Sequence, residues 1–174
     1  MEFFELIKHR RSIRSYENAP VPKEKLDKIL MAGLLSPSGR ALKPWDFIVV
    51  QDRATLDKLV DARNGYAKML YQASCAIVVI ANSDTTDVWT EDASIAMSNM
   101  HLMADNLGLG SCWIQGRLRY AQDGRTTEEY VRELLGFPEN YKLEAILSIG
   151  PISQHPHPHT EEHAAVEKIH YEKF

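Results

Sequence analysis

A group of closely spaced arginines near the start of the chain is the first candidate for chemistry. In the stretch RRSIRSY, the side chains of Arg10, Ser12 and Arg14 occupy alternate positions. If the segment is extended, these three lie on one face, with Arg11 and Ile13 on the other. Two guanidinium groups and a hydroxyl on one face form a receptor for a phosphate. A solvated run of cations at a helix end explains the same residues equally well, so both interpretations stay open at this point.

The overall charge limits the kind of anion that these arginines would bind. The chain has 174 residues and a formal net charge of −4, with 44% hydrophobic and 25% charged residues. These values are typical of one soluble globular domain. An acidic chain is a poor match for nucleic acid, because non-specific binding of nucleic acid depends on a basic surface. A local basic cluster in such a chain favours a small anion as the partner.

Cysteine usage and hydropathy indicate a reducing setting away from membranes. The two cysteines, Cys75 and Cys112, lie in apolar runs without CxxC spacing, which favours buried free thiols over a redox pair. The stretch MEFFELIKHRR carries acidic residues inside its apolar part and lacks the features of a signal peptide. No apolar run approaches the length that spans a bilayer. We therefore expect a cytoplasmic protein with no membrane partner.

Histidines and glycines elsewhere raise two further possibilities, and the sequence pattern favours neither. HPHPH, from His155 to His159, offers imidazoles, but alternation with proline in an extended segment separates the rings, so no metal site is predicted. His101 lies in an apolar helical stretch and is expected to be a core or interface residue. GLGSCW lacks the third glycine of a dinucleotide-binding fingerprint and follows a predicted helix, whereas the fingerprint follows a strand.

Hydrophobic periodicity places these residues on helices and strands. Apolar residues at helical spacing predict helices, and β-branched runs predict strands. The pattern indicates an α/β (α+β) chain in which helices cover a central sheet. Thr90 is expected to cap the longest helix and Gly108 to end it. The predicted helices cover 2–9, 22–35, 53–62, 66–72, 91–107 and 126–135, and the predicted strands cover 45–50, 75–81, 110–115 and 143–150.

The end of the chain has a composition of its own. After Pro151 the sequence becomes polar and rich in histidine and proline, yet it finishes in the partly apolar stretch IHYEKF. Apolar residues at the end of a polar segment favour docking over fraying. We therefore expect a single domain over 1–174 in which residues 151–174 form an arm that docks on another surface.

Four sequence stretches in order resemble the flavin-dependent nitroreductase family. RRSIRSY resembles the opening motif of that family, and SPSGRALKPWDFIVV is similar to its Pro-Ser-rich turn that leads through Pro-Trp into a strand. DASIAMSNMHLMADNLGLGSCWIQG resembles the long central helix with its glycine turn. LEAILSIG with the closing IHYEKF matches the end of the family pattern. The resemblance extends over nearly the whole chain.

The resemblance implies an architecture and a cofactor. It implies a three-layer sandwich with a central, mainly antiparallel sheet flanked by helices and followed by an extended C-terminal arm. It also implies a homodimer with two FMN molecules at the subunit interface, the arm of 151–174 lying on the partner subunit. NADH or NADPH is then expected as a transient hydride donor, and no dedicated nucleotide domain is required.

The resemblance also implies which residues contact FMN. Arg10 and Ser12 are expected to hold the phosphate, and Arg14 to reach the ribityl chain or the pyrimidine edge. The turn at Pro37 is expected to come from the other subunit, and backbone N–H groups near Gln115 and Gly116 to face N5 and O4 of the ring. No side chain is predicted to be catalytic, since flavin N5 carries the chemistry. The full predicted set is Arg10, Arg11, Ser12, Arg14, Pro37, Ser38, Gly39, Ala41, Trp113, Ile114, Gln115, Gly116 and His159.

Three departures from the family pattern affect this expectation. Ala41 stands where the family usually has Asn, and Lys43 stands where Gln often precedes Pro-Trp. Side-chain hydrogen bonds from this turn would then have to come from Lys43 or Arg40. Near the C-terminus, His157 or His159 takes the place of a basic residue that often completes the phosphate site. Phosphate binding would then weaken as these histidines lose their protons near neutral pH.

The function that follows is an FMN-dependent oxidoreductase. It is expected to take hydride from NAD(P)H and pass it to a nitroaromatic, a quinone or an activated enone by a ping-pong mechanism. Dehalogenation or flavin fragmentation on the same fold is one alternative. A flavin-sequestering protein without substantial turnover is another, and an anion-binding module without flavin is a third.

Overall fold

The core of the molecule is built around one antiparallel sheet. The computed structural model describes all residues, 1–174. The strand order is β1-β2-β4-β3, and every pair of neighbours is antiparallel. The two long apolar runs therefore lie side by side in the middle of the sheet. The strands are β1 Trp45–Val50, β2 Cys75–Asn82, β3 Leu109–Gln115 and β4 Tyr141–Pro151.

Five α-helices pack on the sheet, and a side chain caps the N-terminus of three of them. The Thr126 side chain accepts from the Glu129 N–H, and Glu129 returns a bond to Thr126, which together form a capping box. Asp52 caps the third helix through the Thr55 N–H. The helices are α1 Phe3–His9, α2 Lys23–Leu34, α3 Arg53–Leu59, α4 Trp89–Asn106 and α5 Thr127–Leu135.

Two apolar cores, one on each face of the sheet, give the molecule three layers. Strand β2 supplies both cores, because successive side chains of a strand point to opposite faces. Val78 belongs to a core that includes Val131 of α5, and Ile77 belongs to a core that includes Met97 of α4. The predicted mixed fold, with helices on both faces of a mainly antiparallel sheet, is confirmed.

Three helix predictions are wrong. The helix predicted over 53–62 ends at Leu59 and continues as a 3₁₀ turn over Val60–Ala62. Helix α4 begins at Trp89, with Val88 as a cap residue that makes no side-chain capping bond, so Thr90 lies inside the helix. Within 66–72 only a short 3₁₀ turn forms, over Lys68–Tyr71. Gly108 does follow the end of α4, with a φ of 73° that favours glycine.

The C-terminal arm lies partly on its own chain. The His159 N–H donates to the Lys8 carbonyl oxygen at 2.8 Å, and the Arg11 guanidinium donates to the His157 carbonyl oxygen. From Ala164 onward every residue is exposed. The first part of the expected arm therefore docks on α1 of the same chain, since these backbone bonds hold it there.

The sequence predictions about thiols and membranes can be compared with the structure directly. Cys75 and Cys112 are both free and buried, as predicted. None of the helices combines the length and the apolar character that crossing a bilayer requires.

Candidate functional site

The arginine-bearing segment is held in place by the edge of strand β3. It follows α1 directly, and Ser12 pairs with Ser111 in a short parallel bridge. The Ile13 N–H donates to the Ser111 carbonyl oxygen at 2.9 Å, and the Ile13 side chain is buried. Gly110 permits this approach, because a Cβ there would lie 2.7 Å from Ile13 Cγ2. The segment is thus extended where its alternation matters.

Arg10 is oriented by a buried histidine of helix α4. Its guanidinium donates to His101 Nε2 at 2.8 Å. A guanidinium only donates, so Nε2 accepts and the ring proton sits on Nδ1, which donates to the Ser111 hydroxyl. Burial, and then the charge of Arg10, lower the pKa of His101 to about 4. His101 is therefore a neutral core residue, as expected, that positions Arg10.

The Cys112 thiol lies close to the arginine-bearing segment. Burial raises the pKa of Cys112, and Arg14, the Ser12 hydroxyl and Arg10 act in the opposite direction. The Ser12 hydroxyl thus contacts the thiol, and the two guanidinium groups lie within electrostatic range of it. Arg11 donates to the arm, and the Ile13 side chain lies in the core. The alternation of the three side chains on one face stays a prediction.

The arm brings His159 to the same surface. Desolvation lowers the pKa of the His159 imidazole, followed by the charges of Arg11, His163 and Arg10. The imidazole therefore lies within electrostatic range of the Arg11 and Arg10 guanidinium groups. We call Arg10, Arg11, Ser12, Arg14 and His159 the arginine cluster. Five of the predicted cofactor residues are thus brought together at one end of β3.

The other end of β3 has backbone donors at an open sheet edge. The Ser111 carbonyl points away from β4, because it accepts from Ile13. Backbone groups alternate in direction along an antiparallel strand, so those of Trp113 and Gln115 point to the same outer edge. The Gly116 N–H instead donates to the Glu144 carbonyl oxygen at 3.2 Å. Of the two expected donors, the Gly116 N–H is therefore engaged within the chain, and the Gln115 N–H faces the open edge together with that of Trp113.

The side chains around this donor are partly fixed. The Trp113 indole donates to Gln115 Oε1 at 2.8 Å, while the Ile114 side chain is buried in the core. Next to them lies Glu144, whose pKa is raised by burial and whose Oε2 has no hydrogen-bond partner. Sequence reasoning missed Glu144. A single carboxylate inside the apolar run LEAILSIG was the available signal.

The Pro-Ser turn is strained and tied to helix α4. Arg40, Ala41 and Lys43 all have positive φ angles, of 52°, 57° and 47°. Such angles are unfavourable for residues with a Cβ and persist only where the surroundings impose them. The Gly39 N–H donates to Asp92 Oδ1 at 2.8 Å, and the Lys43 N–H donates to the Ser38 hydroxyl, which hold the turn.

The turn and the arginine cluster lie at different places along α4. The turn is fixed by Asp92, whereas Arg10 is fixed by His101, nine residues later in the same helix. At 1.5 Å per residue this separates the two anchors by about 14 Å along the axis. Pro37, Ser38, Gly39 and Ala41 are therefore not joined to the arginine cluster by contacts within one chain.

Two loops that flank these elements enclose a cavity. Trp89, at the start of α4, and the residues from Gly116 to Tyr120 line a cavity of about 360 Å³. The Arg117 guanidinium lies over the Trp89 ring, 5.8 Å from its centre. This cavity begins where β3 ends, next to the Gln115 donor.

Sequence and structure comparisons agree with this geometry. The model of the nitroreductase family matches residues 7–65 and 60–151. A proposed NADH dehydrogenase/NAD(P)H nitroreductase of Archaeoglobus fulgidus is 37% identical over 99% of both chains. An FMN-dependent nitroreductase structure from Clostridium difficile superposes with a TM-score of 0.94, at 44% identity over 98% of this chain and 99% of the other. A proposed nitroreductase from Desulfovibrio desulfuricans, solved with FMN, superposes with a TM-score of 0.80, at 26% identity over 100% and 98%. The chain therefore belongs to the nitroreductase family.

Proposed function

We propose that the protein is an FMN-dependent oxidoreductase that passes hydride from NADH or NADPH to an electron-poor acceptor. The acceptor class is a nitroaromatic, a quinone or an activated enone. The observation that carries the proposal is the arginine cluster at one end of β3 with the free Gln115 donor at the other. The names of the relatives support the cofactor and the donor. The two free, buried thiols are in keeping with a cytosolic setting.

The donor set fits FMN at both of its ends. Arg10 and the Ser12 hydroxyl supply a charged and a neutral donor for a phosphate, and a protonated His159 would add another. The Gln115 N–H lies four residues from Ser111, which is about 13 Å along the strand. An elongated cofactor with an anionic end and a flat polar ring matches a site of this shape. When bound, FMN supplies N5 as the atom that takes and returns hydride.

The residues around the site have binding and electrostatic roles. Arg14 places a fixed positive charge beside the electron-rich edge of the cofactor, which favours its reduction. Gln115 orients the ring through its backbone N–H, and Trp89 and Arg117 border the space where substrates enter. The nicotinamide donor and the acceptor use this one space in turn, which predicts ping-pong kinetics.

A homodimer completes the site. Within one chain the strained turn of Pro37–Ala41 makes no contact with the arginine cluster, and the family resemblance implies that it serves the site of the partner. Large apolar side chains are exposed on α1, on and directly after α2, and at the end of the arm. An exposed apolar surface of this kind marks an interface. These side chains are Phe3, Phe4, Ile7, Met31, Leu34, Leu35, Ile169, Tyr171 and Phe174.

The visible spectrum of the purified protein tests the function. We expect a flavin spectrum that bleaches on anaerobic addition of NADPH and recovers when a quinone is added. Bleaching without turnover would favour a flavin-sequestering protein. Absence of flavin after reconstitution with FMN would contradict the proposal.

Replacement of Arg10 tests the phosphate assignment. Arg10→Ala removes a charged phosphate donor and leaves His101 without its partner, so FMN occupancy should fall by at least tenfold, as expected for a charge-assisted bond. Arg125→Ala is the matched control, since Arg125 pairs with Asp123 and Glu133 near α5. Flavin content after gel filtration is the measurement. Full retention of FMN in Arg10→Ala would refute the assignment.

A further inference from the structure

Three side chains that can bind metals meet where the arm crosses the ends of α1 and α4. His9 is the last residue of α1, Asp105 lies in the last turn of α4, and His155 belongs to the arm. One ligand atom from each lies within 4.8 Å of the other two. His9 Nδ1 is 2.7 Å from Asp105 Oδ2, and His155 Nε2 is 3.6 Å from Asp105 Oδ1.

The hydrogen bond at Nδ1 of His155 determines whether its Nε2 can bind a metal. Nδ1 lies 2.6 Å from the Pro156 carbonyl oxygen, and a carbonyl only accepts, so Nδ1 carries a proton. In the neutral ring Nε2 then presents a lone pair. That atom is buried, has no hydrogen-bond partner and faces a carboxylate oxygen. A cation placed between this nitrogen and the Asp105 oxygen would provide both with a partner.

The other two residues support the same interpretation. The Asp105 side chain is almost completely buried, and its Oδ2 accepts from His9 Nδ1, which gives up that proton when a metal binds. The rings of His9 and His155 are stacked with their centres 4.2 Å apart, so one ring has to turn for both nitrogens to point at one cation. An imidazole that donates its second N–H to a backbone carbonyl, as His155 does, is the usual support of a metal-binding histidine.

We propose that His9, Asp105 and His155 bind a divalent cation of the Zn²⁺ type. Imidazole and carboxylate ligands suit Zn²⁺, with a water molecule in the fourth position. Metal–ligand distances near 2.1 Å place tetrahedral ligand atoms about 3.4 Å apart. The His155–Asp105 separation already matches, and the His9–Asp105 pair needs to open by less than about 1 Å.

The site would tie the arm to the body of the molecule beside the arginine cluster. His155 precedes His159 by four residues, and the His157 carbonyl between them accepts from Arg11. Zn²⁺ would therefore hold the arm segment that carries His159. The sequence pattern predicts no metal site, because it offers only the arm histidines, which alternate with proline, as a possible set of ligands. The structure instead combines one of them with two residues far away in the chain.

Zinc content and thermal unfolding of the FMN-loaded protein test the proposal. After treatment with a chelator and gel filtration, the protein is titrated with ZnCl₂, and bound zinc is measured by mass spectrometry. We expect one Zn²⁺ per chain and a higher Tm. His155→Asn and His9→Asn should each weaken zinc binding by at least tenfold. Far-UV circular dichroism reports whether each variant is folded, and FMN content is read separately from absorbance.

His170→Asn is the matched control, because His170 is an exposed histidine near the end of the chain. It should bind zinc as the wild-type protein does. Failure of the wild-type protein to retain Zn²⁺ would overturn the proposal. So would equal zinc binding by folded His155→Asn. Neither result would bear on flavin binding, which is measured separately.

Discussion

At the scale of single residues, the most informative contact is the one between Arg10 and His101. A surface arginine has many conformations, and holding it in one of them requires a fixed acceptor. His101 is that acceptor, and its own tautomer is fixed by Ser111. The guanidinium is therefore oriented before an anion arrives, which lowers the entropic cost of binding.

Protonation of His101 would break this contact, and the pH dependence of stability should reveal it. The pKa of His101 is about 4 in the folded protein and near 6.5 in the unfolded chain. As the pH falls, His101 is protonated in the unfolded chain before it is protonated in the folded protein. The stabilisation is therefore complete above the pKa of the unfolded chain and is lost as the pH falls toward 4. We expect about 2 kcal/mol of this loss between about pH 7.5 and pH 5.

The variant His101→Gln isolates that contribution. Glutamine can accept from Arg10 and donate to Ser111 without titrating. Urea unfolding at the two pH values, with saturating FMN, should show a smaller loss of stability for the variant than for the wild-type protein. His170→Gln, at an exposed position, should behave as the wild-type protein does. Equal pH dependence in wild type and His101→Gln would show that His101 does not remain neutral.

His159 should make FMN binding sensitive to pH in the opposite direction. Its pKa is lowered by desolvation and by neighbouring cations, and a phosphate dianion beside the ring would raise it again. Binding then takes up a proton, and the gain in affinity disappears as the pH rises through the pKa of the complex. His159→Asn should bind FMN about three- to tenfold more weakly than wild type near pH 6 and equally near pH 8.

Fluorescence titration of both proteins across this range measures the ratio of affinities. The ionisation of the FMN phosphate affects both proteins alike, so it cancels in the ratio. A ratio that stays constant with pH would mean that His159 does not contact the phosphate.

At the scale of elements, the sequence pattern predicts those helix and strand ends that are fixed by residues nearby in the chain. The bounds of β1 are predicted without error, because a run rich in aromatic and β-branched residues, WDFIVV, follows directly after Pro44. The start of α4 is not, since Val88 and Trp89 carry no capping signal. That helix end is fixed by its neighbours, among them Asp92 with its bond to Gly39. Contacts of this kind do not appear in the periodicity of a sequence.

The strained turn gives a prediction at this scale. Ala41 has a φ of 57°, in the left-handed region that Asn adopts more readily than Ala. Ala41→Asn should therefore raise the free energy of unfolding by about 0.5–1 kcal/mol. Urea denaturation measures the change. Ala165→Asn, where φ is −80° and the side chain is exposed, should change stability by less than about 0.5 kcal/mol. Equal effects at both positions would argue against strain in the turn.

At the scale of the whole molecule, the site depends on contacts between distant parts of the chain. The alternation of Arg10, Ser12 and Arg14 can be predicted from the sequence, because the three residues are close together in the chain. The hydrogen bond from the Gly116 N–H to the Glu144 carbonyl oxygen cannot be predicted in this way, because it depends on how β3 and β4 pair. Likewise, His9 and Asp105 are 96 residues apart in the sequence and meet only because α1 packs against α4. Long-range packing therefore decides which of the predicted groups remain free to bind.

The proposed dimer makes cofactor binding a property of two chains, and a single substitution on α1 should show this. Ile7 is 45% exposed in the single chain, next to the exposed Phe3 and Phe4. Ile7→Glu places a charge in the proposed interface without disturbing the core of one chain. We expect a monomer by light scattering and at least a tenfold loss of FMN affinity, because the turn from the partner would no longer reach the site. Ile7→Val keeps an apolar side chain and should keep both the dimer and the flavin. A monomer that binds FMN as tightly as the wild-type protein would show that one chain builds the complete site.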